Sequence, residues 1–171
     1  LSNLRPLKDH MDRELTSSTG TEIPLFIFEG LSLFAFACDL MKNIVLFNEL
    51  KADLLDFQLK IAGKCGLRID PDLYLKVMVF SSQSKRNSHA AEAEKLAEEA
   101  VQKLVEIENC GHSIGNDTKF AVRQNRASFR SSQKCYEELM ELEGLQISEA
   151  NVADLNISIA NAARRSEERR V

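Results

Sequence analysis

"LFIFEGLSLFAFACDLMKNIVLFNEL", residues 25–50, is the most apolar stretch of this chain and the one that decides its fold. Its charged residues are Glu29, Asp39, Lys42 and Glu49, and the longest uncharged run has nine residues, 30–38. A membrane-spanning helix needs roughly 20 nearly uncharged residues. A helix that is apolar on most faces is typical of the buried centre of a bundle. We therefore expect a buried central helix, with a membrane-seeking segment as the alternative.

The middle of this stretch supplies the candidate residues for either role. They are Leu31, Leu33, Phe34, Phe36 and Cys38. A cysteine in so apolar a setting is usually a small buried hydrophobic side chain. The five residues are therefore candidates for the bundle core or for a membrane-seeking segment.

The apolar pattern continues beyond residue 50, through Leu54, Phe57 and Ile61. Gly63 and Gly66 follow, and glycine is the residue that most often ends a helix. The pattern predicts one long apolar central helix from about residue 25 to residue 63.

Upstream, residues 1–24 are predicted to form an amphipathic helix followed by a loop. Leu4, Leu7, Met11 and Leu15 recur at intervals of three and four, which is the period of a helix with one apolar side. The segment "SSTGTEIP", residues 17–24, has the composition of a turn.

Downstream, the sequence predicts four more helices. Asp70 and Pro71 are suited to the cap and first position of a short one. Residues 89–110 are rich in strong helix formers, and Gly111 is expected to end that helix. Asp117 is expected to cap a helix that ends at Gly144, and Ser148 to cap the last one. Residues 164–171 read as a frayed tail. Residues 1–171 are thus predicted to be a single-domain, all-α bundle of about six helices.

Composition and charge narrow the classes of function. With 171 residues, 44% hydrophobic and 28% charged, the chain has the size and composition of one globular domain. Its net charge of −4 gives no general attraction to nucleic acid or to anionic lipid. The four cysteines contain no CxxC pair, so zinc is not expected. Reduced cysteines in a cytoplasmic protein are favoured, and a secreted bundle with two disulfides is the alternative.

A second stretch, "KFAVRQNRASFRSSQK" at residues 119–134, carries a basic stripe. We use this name for Lys119, Arg123, Arg126, Arg130 and Lys134. On one continuous helix their spacing places all five on one face. They are candidates for binding an anion or a partner. The alternative is pairing with the glutamate-rich helix just upstream. Nucleic acid is not expected, because no aromatic residues alternate with the basic ones as base stacking requires.

Parts of the apolar region resemble a known family. "GLSLFAFACDL" (30–40), "LLDFQLKIAGKCGLRI" (54–69) and "AEAEKLAEEAVQKLVEIE" (91–108) are similar to segments of the HeLo domain of fungal prion-inhibition and cell-death proteins. The tryptophan of that family is missing near residues 64–66, and about 24 residues precede the apolar helix. The resemblance implies a helical regulator whose apolar helix can be released to membranes.

No motif indicates catalysis. His10, His89 and His112 have no metal-type partners at helical spacing on two helices, and no nucleotide-binding or nucleophile motif occurs. We therefore expect no cofactor, and a non-enzymatic interaction or regulatory module that binds a protein partner or itself, or a membrane in cell death or signalling. A secreted disulfide-bonded effector or cytokine-like protein and a helical enzyme without a recognisable motif are the alternatives.

Overall fold

The structure is a computed structural model that describes residues 4–17, 23–41 and 43–168. Across these residues all regular structure is helical, as predicted. The helices are α1 (Leu4–Ser17), α2 (Leu25–Leu40), α3 (Ile44–Lys64), α4 (Pro71–Lys85), α5 (Ala90–Asn109), α6 (Asn116–Ala127), α7 (Ser132–Met140) and α8 (Glu149–Glu168). The described residues thus form eight helices, and the prediction of about six is wrong because two predicted helices are each divided.

The predicted central helix from residue 25 to residue 63 is one of the divided helices. Met41, at the end of α2, has extended backbone, and Asn43 starts a new helix. The Asn43 side-chain oxygen accepts hydrogen bonds from the backbone nitrogens of Val45 (3.0 Å) and Leu46 (3.3 Å). An asparagine in this position satisfies backbone donors at a helix start, so it competes with continuation of the previous helix. The long apolar central helix is therefore replaced by α2 and α3.

The predicted helix from Asp117 to Gly144 is the second divided helix. α6 ends at Ala127 and α7 begins at Ser132. Between them the Ser128 hydroxyl donates to the backbone oxygen of Asn125 at 2.6 Å. Serine offers the backbone local hydrogen bonds that compete with the helix, and "SFRSS" holds three serines in five residues.

Several predicted helix ends are found in the structure. α4 begins at Pro71, and the Asp70 carboxylate accepts from the backbone nitrogen of Asp72 at 3.0 Å. After α3 and α5 the chain turns through Gly66 (φ 67°) and Gly111 (φ 82°). These positive angles favour glycine, which has no Cβ to clash. α8 continues to Glu168, past the start of the predicted frayed tail, and residues 169–171 lie outside the described residues.

The chain divides into two compact units, an N-terminal unit (Leu1–Ser84) and a C-terminal unit (Lys85–Val171). The assignment of residues 1–171 to one domain stays a prediction. In the N-terminal unit, α1 packs on α2 and α3. The buried residues of this core are Met11, Leu15, Ile27, Phe34, Cys38, Leu50, Leu54 and Phe57. Residues 1–3 and 18–22 of the predicted N-terminal segment lie outside the described residues.

The C-terminal unit has its own core, in which α6 packs on α5, α7 and α8. Its buried cluster is Phe120, Ala127, Cys135, Leu139, Leu142, Leu155 and Ala162. Asp117 was predicted to cap α6, but α6 begins at Asn116 and its cap residue is Gly115. Asp117 has a different role. The Asp117 carboxylate accepts from the backbone nitrogen of Ser148 (2.9 Å) and from the side chain of Asn151 (2.8 Å). It thereby holds the start of α8 against α6.

Candidate functional site

The outer side of α2 carries more exposed large apolar side chains than any other helix in the described part of the chain. We call this surface the α2 face, and its members are Leu25 (73% exposed), Phe28 (48%), Leu33 (54%), Phe36 (62%) and Leu40 (58%). Residues three and four apart are neighbours on a helix surface. Leu25 with Phe28, and Leu33 with Phe36 and Leu40, therefore form two apolar groups, and the five-residue step between Phe28 and Leu33 still leaves both groups on one side of α2. Contiguous exposed apolar surface is typical of interaction sites.

The opposite side of α2 forms part of the core. Its buried residues Ile27, Gly30, Phe34 and Cys38 follow one another at intervals of three, four and four. The Phe34 ring and the Phe57 ring of α3 pack edge to face, with ring centres 5.5 Å apart. This packing holds α2 in one orientation, so the α2 face is presented by a fixed helix.

Two acidic residues lie within the α2 face. Glu29 is one turn from both Leu25 and Leu33, and Asp39 is three residues from Phe36. Both are exposed, and neither forms a salt bridge with any residue that the structure describes. α2 itself contains no lysine or arginine. The α2 face is therefore apolar and acidic.

The structure separates the five residues predicted as a core or membrane-seeking segment. Phe34 and Cys38 are buried and Leu31 is half-buried, whereas Leu33 and Phe36 lie on the α2 face. Composition alone did not reveal this division. Two signals in the sequence do indicate it: the small residues Gly30 and Cys38 lie on the packed side, and the two acids lie on the other.

The basic stripe is divided by the turn between α6 and α7. Lys119, Arg123 and Arg126 lie on α6, Arg130 lies in the turn, and Lys134 lies on α7. Consequently the five residues do not share one helix face, and the prediction that they do is wrong.

Three of the five stripe residues form ion pairs inside the C-terminal unit. Lys119 pairs with Glu108 of α5 at 2.6 Å, and Arg126 pairs with Glu138 of α7 at 3.2 Å. Arg130 pairs with Glu98 of α5 and with Glu138 at 3.4 Å. The expected pairing with the upstream helix therefore exists for Lys119 and Arg130, while α7 supplies the partner of Arg126.

Arg123 and Lys134 are different, because neither forms a salt bridge with a described residue. Arg123 is half-buried on α6 and Lys134 is exposed on α7. Two separated cations on different helices make a weaker anion site than the predicted row of five. The stripe is thus mainly part of the packing of the C-terminal unit.

A cavity of about 620 Å³ lies within the N-terminal unit beside α1, α2 and α3. Its lining includes the apolar Leu46 and Leu50 and an ion pair between Lys8 and Asp53, 2.7 Å apart. Burial raises the pKa of the Asp53 carboxyl, and Lys8 opposes this shift. Because Lys8 and Asp53 neutralise each other, we interpret this ion pair as a structural link between α1 and α3.

A second tie between the same helices is formed by Lys60 of α3. Its ammonium contacts the carboxylates of Asp12 on α1 (2.5 Å) and Asp56 (2.7 Å). Burial acts to lower the pKa of Lys60, but the hydrogen bonds to the two carboxylates outweigh it and the pKa is raised. These charged groups hold α1 against α3.

All four cysteines carry free thiols, with Cys38 and Cys135 buried and Cys65 and Cys110 exposed. His10 stacks on Phe26 with ring centres 4.8 Å apart. In the described segments no group of three or more His, Cys, Asp or Glu side chains is placed to hold a metal ion.

Among the described helices, none combines the length and the apolar character that crossing a membrane requires. No protein-family model, curated protein or solved structure matches this chain. The resemblance to the HeLo domain therefore stays a prediction.

Proposed function

We propose that this protein is a non-enzymatic interaction module whose docking surface is the α2 face, and that the occupant is an amphipathic helix of a protein partner. The observation that carries the proposal is the row of five large apolar side chains, each about half exposed or more, on a helix whose other side is packed in the core. Fully burying one leucine or phenylalanine contributes roughly 1.5 to 3 kcal/mol. A partner that covers the whole strip therefore gains enough to offset a substantial part of the cost of association.

A helix is the partner shape that fits this surface. The α2 face is a straight strip about 16 residues long, or roughly 24 Å at 1.5 Å per residue. Exposed helix faces are commonly covered by a second helix whose apolar side chains repeat every three or four residues. The backbone donors and acceptors of α2 are already used inside the helix, which leaves side-chain packing as the basis of recognition.

A lipid surface fits the α2 face less well. Helices that lie in a membrane interface are rich in lysine and arginine beside their apolar side. α2 has neither residue, and it presents Glu29 and Asp39 in the strip itself. Both acids would be repelled by anionic headgroups and would lose hydration in the interface.

A second copy of the chain also fits less well. Two α2 faces paired in antiparallel fashion would bring the Glu29 and Asp39 carboxylates of both copies into one interface, to which α2 supplies no lysine or arginine. Like charges placed opposite each other in an interface are destabilising.

The four free thiols support a reduced, cytoplasmic module over a secreted disulfide-bonded effector.

The proposal is tested by selection from a phage library of amphipathic helices of about 20 residues, long enough to be helical. The full chain is the bait, and the double variant Leu33→Ser with Phe36→Ser is the matched bait. A control bait carries Val152→Ser and Ile157→Ser, which alter exposed apolar residues of α8. We expect selected helices to bind the wild type and the α8 control equally, and to bind the α2 variant at least tenfold more weakly.

The same three proteins are then mixed with liposomes of phosphatidylcholine and of phosphatidylserine. Equal binding of the selected helices to all three proteins would contradict docking on the α2 face. Liposome binding that the α2 variant alone loses, with no helix selected, would favour the membrane-active regulator that the HeLo resemblance implies.

A further inference from the structure

We infer that the helix which docks on the α2 face is basic, with two lysine or arginine residues spaced ten or eleven residues apart on its apolar side. This inference rests on the proposed docking function and adds the chemistry of the partner. It starts from the two acids in the strip. Both Glu29 and Asp39 are exposed, and neither is neutralised by a salt bridge to a described residue.

The position of the acids makes them part of any interface on this face. Glu29 is adjacent to Leu25 and Leu33, and Asp39 is adjacent to Phe36, so a helix that covers these apolar side chains also approaches both carboxylates. Covering a carboxylate without a cation costs free energy, since its water is removed and not replaced. A partner must therefore bring positive charge to both places.

The spacing of those charges follows from helix geometry. Glu29 and Asp39 are ten residues apart, which is about 15 Å along the axis of α2. On a partner helix lying nearly parallel or antiparallel, 15 Å also corresponds to about ten residues. Residues ten or eleven apart return to the same side after three turns of 3.6 residues. Lysine and arginine have apolar stems that cover neighbouring hydrophobic surface while the charge reaches a carboxylate.

Other groups of the α2 face do not compete for this charge. The Ser32 hydroxyl already donates to the backbone oxygen of Phe28 at 3.0 Å. Lys8 and Lys60 of the N-terminal unit are paired with other carboxylates, those of Asp53, Asp12 and Asp56. Among the described residues no salt bridge neutralises Glu29 or Asp39, so an external cation can pair with both.

The test uses three designed peptides of about 20 residues with the same leucine stripe. One has lysines ten residues apart beside the stripe, one has glutamates there, and one has glutamines. Binding to the full chain is measured by fluorescence anisotropy. We expect the lysine peptide to bind roughly tenfold more tightly than the glutamate peptide, since two exposed ion pairs replace two repulsions. Raising the salt concentration to about 1 M should largely remove the difference.

A charge-swapped protein makes the test specific. In the double variant Glu29→Lys with Asp39→Lys, the preference should reverse in favour of the glutamate peptide. The control variant, Glu141→Lys with Glu143→Lys, makes the same change in net charge at exposed positions after α7 and should keep the wild-type preference. Circular dichroism and melting temperature establish that all three proteins are folded.

The outcomes separate this inference from the proposed function. If none of the three peptides binds, the docking function itself is overturned. If all three peptides bind equally and the double variant Leu33→Ser with Phe36→Ser loses binding, docking on the α2 face is supported. The inference that the partner is basic is then overturned. A lysine preference that persists in the charge-swapped protein would also overturn it, because the attraction would then come from elsewhere in this acidic chain.

Discussion

The side chain of Asn125 on α6 is buried, and neither its nitrogen nor its oxygen is hydrogen-bonded to any described residue. A buried polar group without a partner costs roughly 1 to 3 kcal/mol. Leucine has the same branching with methyl groups in place of the amide atoms. We therefore expect Asn125→Leu to raise the free energy of unfolding by about 1 to 3 kcal/mol, as measured by urea denaturation.

The neighbouring Gln124 is the matched control for this change. Its side chain donates to the Ser158 hydroxyl of α8 at 3.1 Å, so Gln124→Leu should lower the free energy of unfolding by about 1 kcal/mol. A loss of stability in Asn125→Leu would contradict the prediction and would indicate that a buried water satisfies the amide.

The four cysteines differ in burial, and this difference predicts a pH dependence. Burial raises the pKa of the Cys38 and Cys135 thiols. The unfolded chain then releases these protons at lower pH than the folded chain does. The stability that they contribute is complete below the unfolded thiol pKa of about 8.5 and is lost as pH rises towards the folded values.

We expect the melting temperature to fall as the pH rises from about 8 to about 10. The fall should be smaller in the double variant Cys38→Ala with Cys135→Ala. The matched control, Cys65→Ala with Cys110→Ala, should melt with the wild-type pH dependence, because both of these cysteines are exposed. An identical dependence in the two double variants would show that the buried thiols do not produce the effect.

Gly30 of α2 lies against Met11 of α1, where these two helices pack. A Cβ placed on Gly30 would collide with the side chain of Met11, which is fully buried. We expect Gly30→Ala to lower the free energy of unfolding by about 1 to 3 kcal/mol, because overpacking outweighs the helical preference for alanine. Gly63→Ala near the end of α3 meets no atom within 4 Å and should be neutral or stabilising. Equal effects of the two changes would mean that α1 does not approach α2 closely.

Ion pairs that join α5, α6 and α7 explain most of the basic stripe. Reversing both Arg126 and Arg130 to Glu removes their contacts with Glu98 and Glu138 and creates repulsion in their place. We expect a loss of about 1 to 2 kcal/mol in low salt, and a smaller loss at about 1 M salt.

The other two stripe residues provide the control. Arg123→Glu with Lys134→Glu changes the net charge equally but breaks no ion pair with a described residue, so stability should change by less than about 0.5 kcal/mol. Equal losses in the two double variants would indicate a general charge effect. Loss of anionic liposome binding in either variant without a change in melting would favour the stripe as an anion-binding surface.

For the whole chain, the sequence was sufficient for the fold class and for many helix ends. Periodic apolar residues such as Met11 and Leu15 predicted α1, and Asp70 with Pro71 predicted the start of α4. Gly66 and Gly111 predicted the ends of α3 and α5. These signals succeed because each depends on the backbone chemistry of one or two residues.

The two divided helices were not predicted, because each break results from a competition between nearly equal alternatives. Asn43 can continue an apolar helix or cap a new one, and Ser128 can continue α6 or bond back to Asn125. The helical period alone favoured continuation in both places. The exposed side of α2 was missed for a related reason: total hydrophobicity suggested burial on most faces, while the orientation depends on which helices pack against Gly30 and Phe34.

One side of α2 lies in the core, and we propose that its other side receives a partner helix. Hydroxyl-radical footprinting of the full chain, read by mass spectrometry with and without the lysine peptide at saturation, tests both statements. We predict that Phe28, Leu33 and Phe36 are oxidised in the free protein and protected in the complex, whereas Phe34 and Phe57 are unreactive in both. Unreactive Phe36 in the free protein would contradict the exposure of the α2 face. Equal oxidation of Leu33 and Phe36 with and without bound peptide would contradict docking on that face.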